Sequence, residues 1–485
     1  MSKPTRSAEP AAYVPARVRA ALGGFAVVIA SLAGSLVGCR AAPPAEVPVR
    51  TAAAVDTLTH PAWSRRAVIY EVNVRQFTPE GTLRAIQPHL PRLKALGVDV
   101  IWLMPVQPIG RKNRKGPMGS YYSISDYTAV NPELGTMADF DTLVAAAHRE
   151  GLKVLLDWVP NHTAFDHPWT VQHRDWYVTR ADGTIINARD NEGHDTDWTD
   201  VAELNYDNAG LRRAMIDAMR WWLDNGHIDG FRCDVAGGVP LDFWLQARRE
   251  LLTVRPDLFM LAEAEDPRLH AAFDMTYGWE LHHLLNEVAQ GKKPASTFDS
   301  YLAHQDSVYG RDAYHMYFTS NHDENSWNGS EFERMGANAQ PAFVLAATIR
   351  GSMPLLYTGQ EVSVKKRLRF FEKDTVDWNG PSLAPFYRAM FELKHTHAAL
   401  ANGAEGGEQT TLRTDAGDRV YAFVRSRGSD VVLVALNFGD APVSASYRDL
   451  RAPGKFTDWF SRASVGLPPS GTIEIPAHGY RVLVR

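Results

Sequence analysis

Four apolar runs in this chain end in acids. They are LKVLLDWVPNH (152–162), IDGFRCDVA (228–236), LFMLAEAED (258–266) and YHMYFTSNHDEN (314–325). Read as a β-strand, 228–236 sends Ile228, Gly230, Arg232 and Asp234 to one face, and Phe231, Cys233 and Val235 to the other. An arginine and an aspartate two apart on one buried face are costly unless they pair or serve a site. Several strands that each end in a carboxylate point to one shared acidic site, with Asp234 as its nucleophile.

The elements that must position these acids follow from periodicity. Eight strand candidates occur: 68–76, 98–106, 152–159, 228–236, 258–263, 272–277, 314–320 and 353–357. Amphipathic helical segments lie between most of them. Leu83, Ile86, Leu90, Leu93 and Leu96 recur at three- and four-residue steps, and 139–150, 211–224, 241–253 and 341–349 behave alike. Alternating strands and helices predict an α/β fold, a (β/α)8 TIM barrel with insertions, whose function gathers at the C-terminal strand ends. An open doubly wound sheet is the alternative, but no Gly-rich phosphate loop follows the first strand. Between His162 and Leu211 runs a long stretch rich in His, Asp and Trp, and a loop of that length is functional or a small subdomain. Its Trp169, His173, Trp176 and Trp198 fit a mini-core and sugar platforms equally. Past residue 400 short alternating runs (419–425, 431–438, 472–475, 480–484), separated by Gly, Asp and Pro, predict an all-β sandwich.

Composition sets the outer bounds. At 485 residues the chain exceeds a single small core. With 45% hydrophobic and 22% charged residues it is ordinary for a soluble globular protein. A net charge of −5 is slight, no basic run approaches a nucleic-acid footprint, and RKNRK at 111–115 reads as a solvated loop. Two cysteines, Cys39 and Cys233, exclude a disulfide framework, and Cys233 reads as a small buried hydrophobe beneath a helix.

The N-terminus has the pattern of an export signal. Lys3, Arg6, Arg17 and Arg19 precede the apolar run 20–37, which ends in Leu36-Val37-Gly38-Cys39. That ending resembles the lipobox of bacterial lipoproteins, implying cleavage before Cys39 and its lipidation, with the chain tethered in the bacterial envelope, periplasmic or at the cell surface. An uncleaved membrane anchor is the alternative. The domain reading is a signal peptide over 1–38, a flexible linker over 39–60, a barrel over 61–400 with an inserted subdomain over 162–205, and a β-sandwich over 401–485.

Taken in order, these motifs resemble the α-amylase family of glycoside hydrolases. DWVPNH (157–162), GFRCD (230–234), Glu263 in LAEAED and FTSNHD (318–323) match that family's motifs at the third, fourth, fifth and seventh strands. GVDVIWLMPV (97–106), SYYSISDY (120–127), AELN (202–205) and MPLLYTGQE (353–361) support the match. The resemblance implies that Asp234 is the nucleophile, Glu263 the general acid/base and Asp323 a third carboxylate binding sugar hydroxyls. It implies that Arg232 orients Asp234, Asp157 braces Arg232, His162 and His322 contact the sugar, and Tyr122 stacks beneath it. The substrate it implies is starch or a maltooligosaccharide, with no nucleic acid.

Retaining glycoside cleavage asks for these residue types independently: one carboxylate ionised to attack, another protonated to donate. Arg232 beside Asp234 is expected to depress its pKa, and partial desolvation near other acids to raise that of Glu263. Glu265 lies on the same face as Glu263 and competes with it, the motif favouring Glu263. Two departures bear on specificity. The run after Asp234 is Val235-Ala236-Gly237-Gly238, without the Lys-His that many α-amylases carry, and Val235 resembles α-1,6-acting members. Asn161 matches a calcium ligand of the family, but the six to eight oxygens such an ion needs cannot be assembled from the sequence. The chemistry itself requires no cofactor.

Overall fold

The computed structural model describes residues 58–485. The apolar run 20–37 and Cys39 lie outside them. Eight parallel strands close into a barrel in sequential order: β1 (Ile69–Val72), β2 (Val100–Leu103), β3 (Lys153–Trp158), β4 (Gly230–Cys233), β5 (Phe259–Ala262), β6 (Met275–Tyr277), β7 (Tyr314–Tyr317) and β8 (Ser352–Tyr357). All eight coincide with the predicted runs, and the predicted α/β barrel is the observed fold. Several strands are shorter than the runs: β1, β2, β4 and β7 give up mainly C-terminal residues to the loops that follow, β6 gives up N-terminal ones, and β8 spans its whole run. Residues 74–76, expected as strand, belong to a helical turn (Val74–Phe77), since the Asn73 N–H leaves the ladder for Thr358 Oγ1.

Alternation along each strand divides the core in two. Ile69, Val100, Trp102, Leu155, Phe259, Leu261, Met275, Tyr277 and Met316 fill the barrel interior. Their outward neighbours, such as Tyr70, Ile101, Leu156, Phe231 and Cys233, pack beneath the helices. Cys233 is fully buried there, as its alternation requires. Gly230 opens β4 because a Cβ there would stand 1.9 Å from the Phe259 carbonyl oxygen of β5.

The outer layer is led by α1 (Leu90–Leu96), α2 (Met137–Arg149), α3 (Ala209–Asn225), α4 (Leu241–Leu251), α5 (Trp279–Ala289), α6 (Thr297–Val308), α7 (Ala339–Thr348) and α8 (Ala384–Thr396). Local chemistry fixes their ends. Thr136 and Asp139 form a reciprocal capping box on α2, and Asn208 Oδ1 accepts from Gly210 and Leu211 at the start of α3. Gly97, at φ 101°, ends α1.

Between β3 and α3 the chain forms a small antiparallel ladder, His162–Ala164 against Val201–Glu203, which sets His162 opposite Glu203. Trp169 and Trp176 pack together at 4.9 Å, with His173 stacked on Trp176 at 4.0 Å, so these three serve the mini-core. Trp198 instead stands 6.0 Å from the His162 ring, at the edge of the acidic cluster.

The C-terminal region is antiparallel β: β9 (Glu408–Thr411), β10 (Val420–Arg427), β11 (Asp430–Asn437), β12 (Val443–Tyr447), β13 (Gly454–Asp458), β14 (Ser464–Leu467), β15 (Gly471–Ile475) and β16 (Gly479–Val484). Six strands form a sheet in the order β9-β10-β11-β16-β13-β14, and β12 pairs with β15. Val443, Ala445 and Ile473 of the pair share one core with Leu433, Ala435 and Leu483 of the larger sheet.

Candidate active site

Arg232 is the centre around which the acids assemble. Register pairs Asp157 of β3 with Arg232 of β4, both facing the barrel axis. Arg232 Nη1 donates to Asp157 Oδ1 and to Asp234 Oδ1, each at 2.9 Å. Nη2 stands 2.5 Å from Glu263 Oε1, an ion pair without hydrogen-bond geometry. Nε donates to the Tyr277 hydroxyl at 3.2 Å. The guanidinium carbon lies 5.0 Å from the Trp102 ring and 5.6 Å from that of Tyr122. A fully buried cation of this kind is tolerated because three carboxylates surround it.

The same burial sets the protonation order. Asp234 is raised to about 6: desolvation outweighs the attraction of Arg232, and the Asp157 charge adds to the rise. This corrects the expectation that Arg232 would depress it; one guanidinium shared among three carboxylates does not offset full removal from water. Glu263 goes higher, to about 8, through desolvation opposed by Arg232 and reinforced by Asp234 and Asp323. Asp234 therefore ionises first, and Glu263 keeps its proton at neutral pH. Asp157, also desolvated, rises to about 6.

Two backbone devices aim this pair. The Glu263 N–H donates to the Cys233 carbonyl at 2.9 Å, continuing the β4–β5 ladder one step past the strand. Val235, expected on the outward strand face, instead adopts φ 43°, ψ 44°. This left-handed conformation, strained for a β-branched residue, turns the Val235 N–H onto Glu263 Oε2 at 3.0 Å. Glu265 does not join the site. Its Oε2 accepts from the N–H of Glu280 at the start of α5, and desolvation raises its pKa to about 7.

Asp323 lies across the site and is more open, with its side chain 36% exposed. Desolvation raises it, but the His322 charge and hydrogen bond prevail and leave it below the usual carboxylate range. His322 Nε2 is 3.2 Å from Asp323 Oδ2 and 2.7 Å from the Tyr122 hydroxyl, and Nδ1 is 2.5 Å from Glu71 Oε1. Burial alone would neutralise this imidazole; Asp323 and Glu71 together lift its pKa well above normal and keep it cationic. The Tyr122 hydroxyl donates onward to Asp157 Oδ2 at 3.1 Å, and Trp102 Nε1 donates to the same oxygen. A continuous network thus runs from Glu71 through His322, Tyr122 and Asp157 to Arg232 and Asp234. The Tyr122 ring is 5.4 Å from His322 at an interplanar angle of 24°.

His162 behaves oppositely. Its Nε2 is 3.9 Å from Asp234 Oδ2, yet burial depresses its pKa to about 4, so it is a neutral partner. The structure therefore gathers Asp157, His162, Arg232, Asp234, Glu263, Asp323, His322 and Tyr122 at one end of the barrel. Glu71 was not legible in advance, since a lone acid inside an apolar strand carries no motif. Its only sequence signal is the inward position of a strand whose neighbours are apolar.

Asn161 stands beside the site. Its Nδ2 donates to the Arg189 carbonyl at 3.0 Å. Its Oδ1 and the Asp190 carbonyl oxygen both border Gly238, where a Cβ would lie 2.7 Å from the first and 3.4 Å from the second. Among the described residues, Asp190, Glu192 and His194 form the one tight cluster of ligand-type side chains. Asp190 already accepts from the Glu192 and His194 N–H groups. These oxygens fall short of the six to eight that Ca²⁺ requires, so the ion's fit here is incomplete.

A parallel eight-stranded barrel with paired carboxylates at the C-terminal strand ends, one raised above the other, defines a site for acid/base chemistry with a carboxylate nucleophile. Comparison with known proteins agrees. The profile of the α-amylase catalytic domain matches residues 60–380, and that of the α-amylase C-terminal all-β domain matches 412–481. The chain belongs to the α-amylase family of glycoside hydrolases. It is 31% identical over 402 residues to the α-amylase MalA of Haloarcula japonica, covering 79% of this chain and 57% of that protein. It is 27% identical to an α-1,4-glucan:maltose-1-phosphate maltosyltransferase of Streptomyces coelicolor, over 80% of this chain and 60% of the relative. The chain thus spans less than two thirds of the length of these curated relatives. Among solved structures it is similar to the maltogenic α-amylase AmyB of Thermotoga neapolitana (28% identity, TM-score 0.78, covering 86% of this chain and 98% of that one). An α-amylase of Lactobacillus plantarum gives 28% identity and a TM-score of 0.78, covering 87% and 99%.

Proposed function

We propose that the chain is a retaining α-glucan hydrolase that cleaves α-1,4-glucosidic bonds in starch or maltooligosaccharides. The observation that carries this reading is one guanidinium, Arg232, pairing with both Asp234 and Glu263 while their environments set the two pKa values apart. Asp234 Oδ1 is tied to Arg232, which leaves Oδ2 to attack the anomeric carbon. As that bond forms, the glycosidic C–O bond breaks, and Glu263 gives its proton to the departing oxygen. Glu263 then takes a proton from water, whose oxygen displaces Asp234 from the same carbon. Two inversions return the α-anomer. Asp323, His322 and His162 bind sugar hydroxyls, and Tyr122 supports the ring.

The route needs no cofactor. Calcium at Asn161, if bound, serves the fold of the insertion rather than the chemistry. A second reading keeps the same acids and changes linkage or acceptor. It is favoured by Val235 after the nucleophile, by the missing Lys-His, and by similarity to a maltosyltransferase. A time course of products from amylose, pullulan, isomaltose and maltose, with and without chelator, separates the readings. Hydrolysis of α-1,4 bonds yields reducing maltooligosaccharides from amylose at a rate unchanged by chelator. Products from pullulan or isomaltose alone, or sugars without new reducing ends, would replace it with the second reading. Retention on a starch column with no product at all would leave a glucan-binding protein.

The N-terminal motif adds a location. The positively charged start, the apolar run 20–37 and Cys39 support export and lipid anchoring to a bacterial envelope. Expression of the full chain and of Cys39→Ser tests it: the parent partitions with membranes and the variant does not, whereas identical partitioning would remove the anchor.

A further inference from the structure

Beyond the catalytic cluster, a row of aromatic side chains continues outward from Tyr122. The Phe370 ring is nearly parallel to Tyr122 (16°, centroids 6.3 Å apart), and Trp327 follows at 5.2 Å from Phe370. Phe371 flanks Trp327 at 5.7 Å. Trp327 is 46% exposed, the one aromatic among the large apolar side chains left open in the described residues.

These rings sit on loops that are fixed to one another. Trp327 belongs to the π-helical segment Glu324–Asn328 that begins directly after Asp323. Within it, Asn325 accepts from the Leu368 N–H at 2.8 Å and donates to the Lys366 carbonyl, and Ser326 Oγ donates to the Leu368 carbonyl. The loop carrying Phe370 is thereby locked to the loop carrying Asp323. Buried Arg75 joins both to the Tyr122 loop, donating to the carbonyls of Gly119 and Phe370 at 3.0 Å each. The Met118 N–H bonds the Phe371 carbonyl. An exposed tryptophan on such a scaffold is preorganised, and a rigid aromatic face binds an apolar ring face at little entropic cost.

The direction of the row assigns its occupant. Glu263, which protonates the departing oxygen, points to the Val235 side, where Gly237 contacts Asn191 of the insertion. Phe370 and Trp327 extend from the Tyr122 and His322 side. The sugars beyond that side are the ones that stay joined to the unit captured by Asp234. We propose that Phe370 and Trp327 form a stacking platform for the glucosyl units on the non-reducing side of the cleaved bond. The enzyme then prefers chains with at least two or three units there. This rests on the α-glucan hydrolase reading.

The test compares the intact chain with Trp327→Ala and Trp327→Phe on maltopentaose and on p-nitrophenyl α-glucoside, which places a single unit on that side. In Trp327→Ala the ratio of kcat/KM for maltopentaose to that for the glucoside falls roughly tenfold through KM, the loss of one stacked ring face, and Trp327→Phe restores most of it. An unchanged ratio overturns the platform. If the parent cleaves neither compound, the hydrolase reading fails. The platform is then judged by calorimetric titration of Asp234→Asn, with and without Trp327→Ala, against maltopentaose: weaker binding in the double variant supports it, and equal binding overturns it.

Discussion

His322 Nδ1 stands 2.5 Å from Glu71 Oε1, joining the loop after the seventh barrel strand to the first strand across the barrel mouth. Glu71 is fully buried, and its Oε2 has no hydrogen-bond partner, so its attachment to the site is through this imidazole. Without it, desolvation acts on His322 with only Asp323 in opposition.

Glu71→Gln is therefore expected to lower the His322 pKa and to reduce kcat/KM at neutral pH by about tenfold to a hundredfold, as the cation facing Asp323 is lost. The check is the imidazole titration by NMR alongside the rate. The sign for stability follows. A histidine whose pKa is raised on folding contributes stability that is present below its unfolded pKa and lost as pH rises through the folded value. Glu71→Gln should thus lose more thermal stability at pH 6 than at alkaline pH.

The pH profile of kcat/KM should be bell-shaped. Its acidic limb reports ionisation of Asp234, raised to about 6, and its basic limb reports loss of the Glu263 proton, at about 8. Glu263→Gln should remove the basic limb and leave the acidic one in the residual rate.

Stability gives a separate reading of Glu263. Its folded pKa lies far above the ordinary 4.5, so the native state holds a proton that the unfolded chain releases, and stability falls as pH rises from 4.5 to 8. Glu263→Gln cannot ionise. Relative to the parent, its melting temperature should improve more at pH 8 than at pH 5.

Arg232→Leu should be severe. It leaves Asp157, Asp234 and Glu263 buried without their shared cation, and breaking such a pair costs about 3–5 kcal/mol. Denaturant unfolding measures the loss, which should shrink at low pH, where all three acids are protonated.

The barrel was legible because each strand is an apolar run buried on both faces, and the clustering of Asp157, Asp234, Glu263 and Asp323 was legible because these acids end such runs or follow them closely. What escaped reading depends on tertiary context. The rise of Asp234 comes from burial that a neighbouring arginine in the sequence cannot reveal. The left-handed turn at Val235 runs against a valine's own preference and is imposed by the closure onto Glu263. Helix α6, with polar residues such as Asp299, His304 and Gln305, has too weak an apolar stripe to stand out. Trp327 and Phe370 lie 43 positions apart in the numbering and meet only because Asn325 and Ser326 bind the second loop's backbone.

In the proposed reaction Asp234 attacks the sugar while Glu263 supplies the proton. Incubating the protein with a 5-fluoro-α-glucosyl fluoride, which slows release of the glycosyl-enzyme, and mapping the adduct by peptide mass spectrometry tests it most directly. A fluoroglucosyl ester on the peptide containing Asp234, absent in Asp234→Asn, is the predicted result. An adduct on Glu263 or Asp323, or turnover without any adduct and with inverted product, would contradict it.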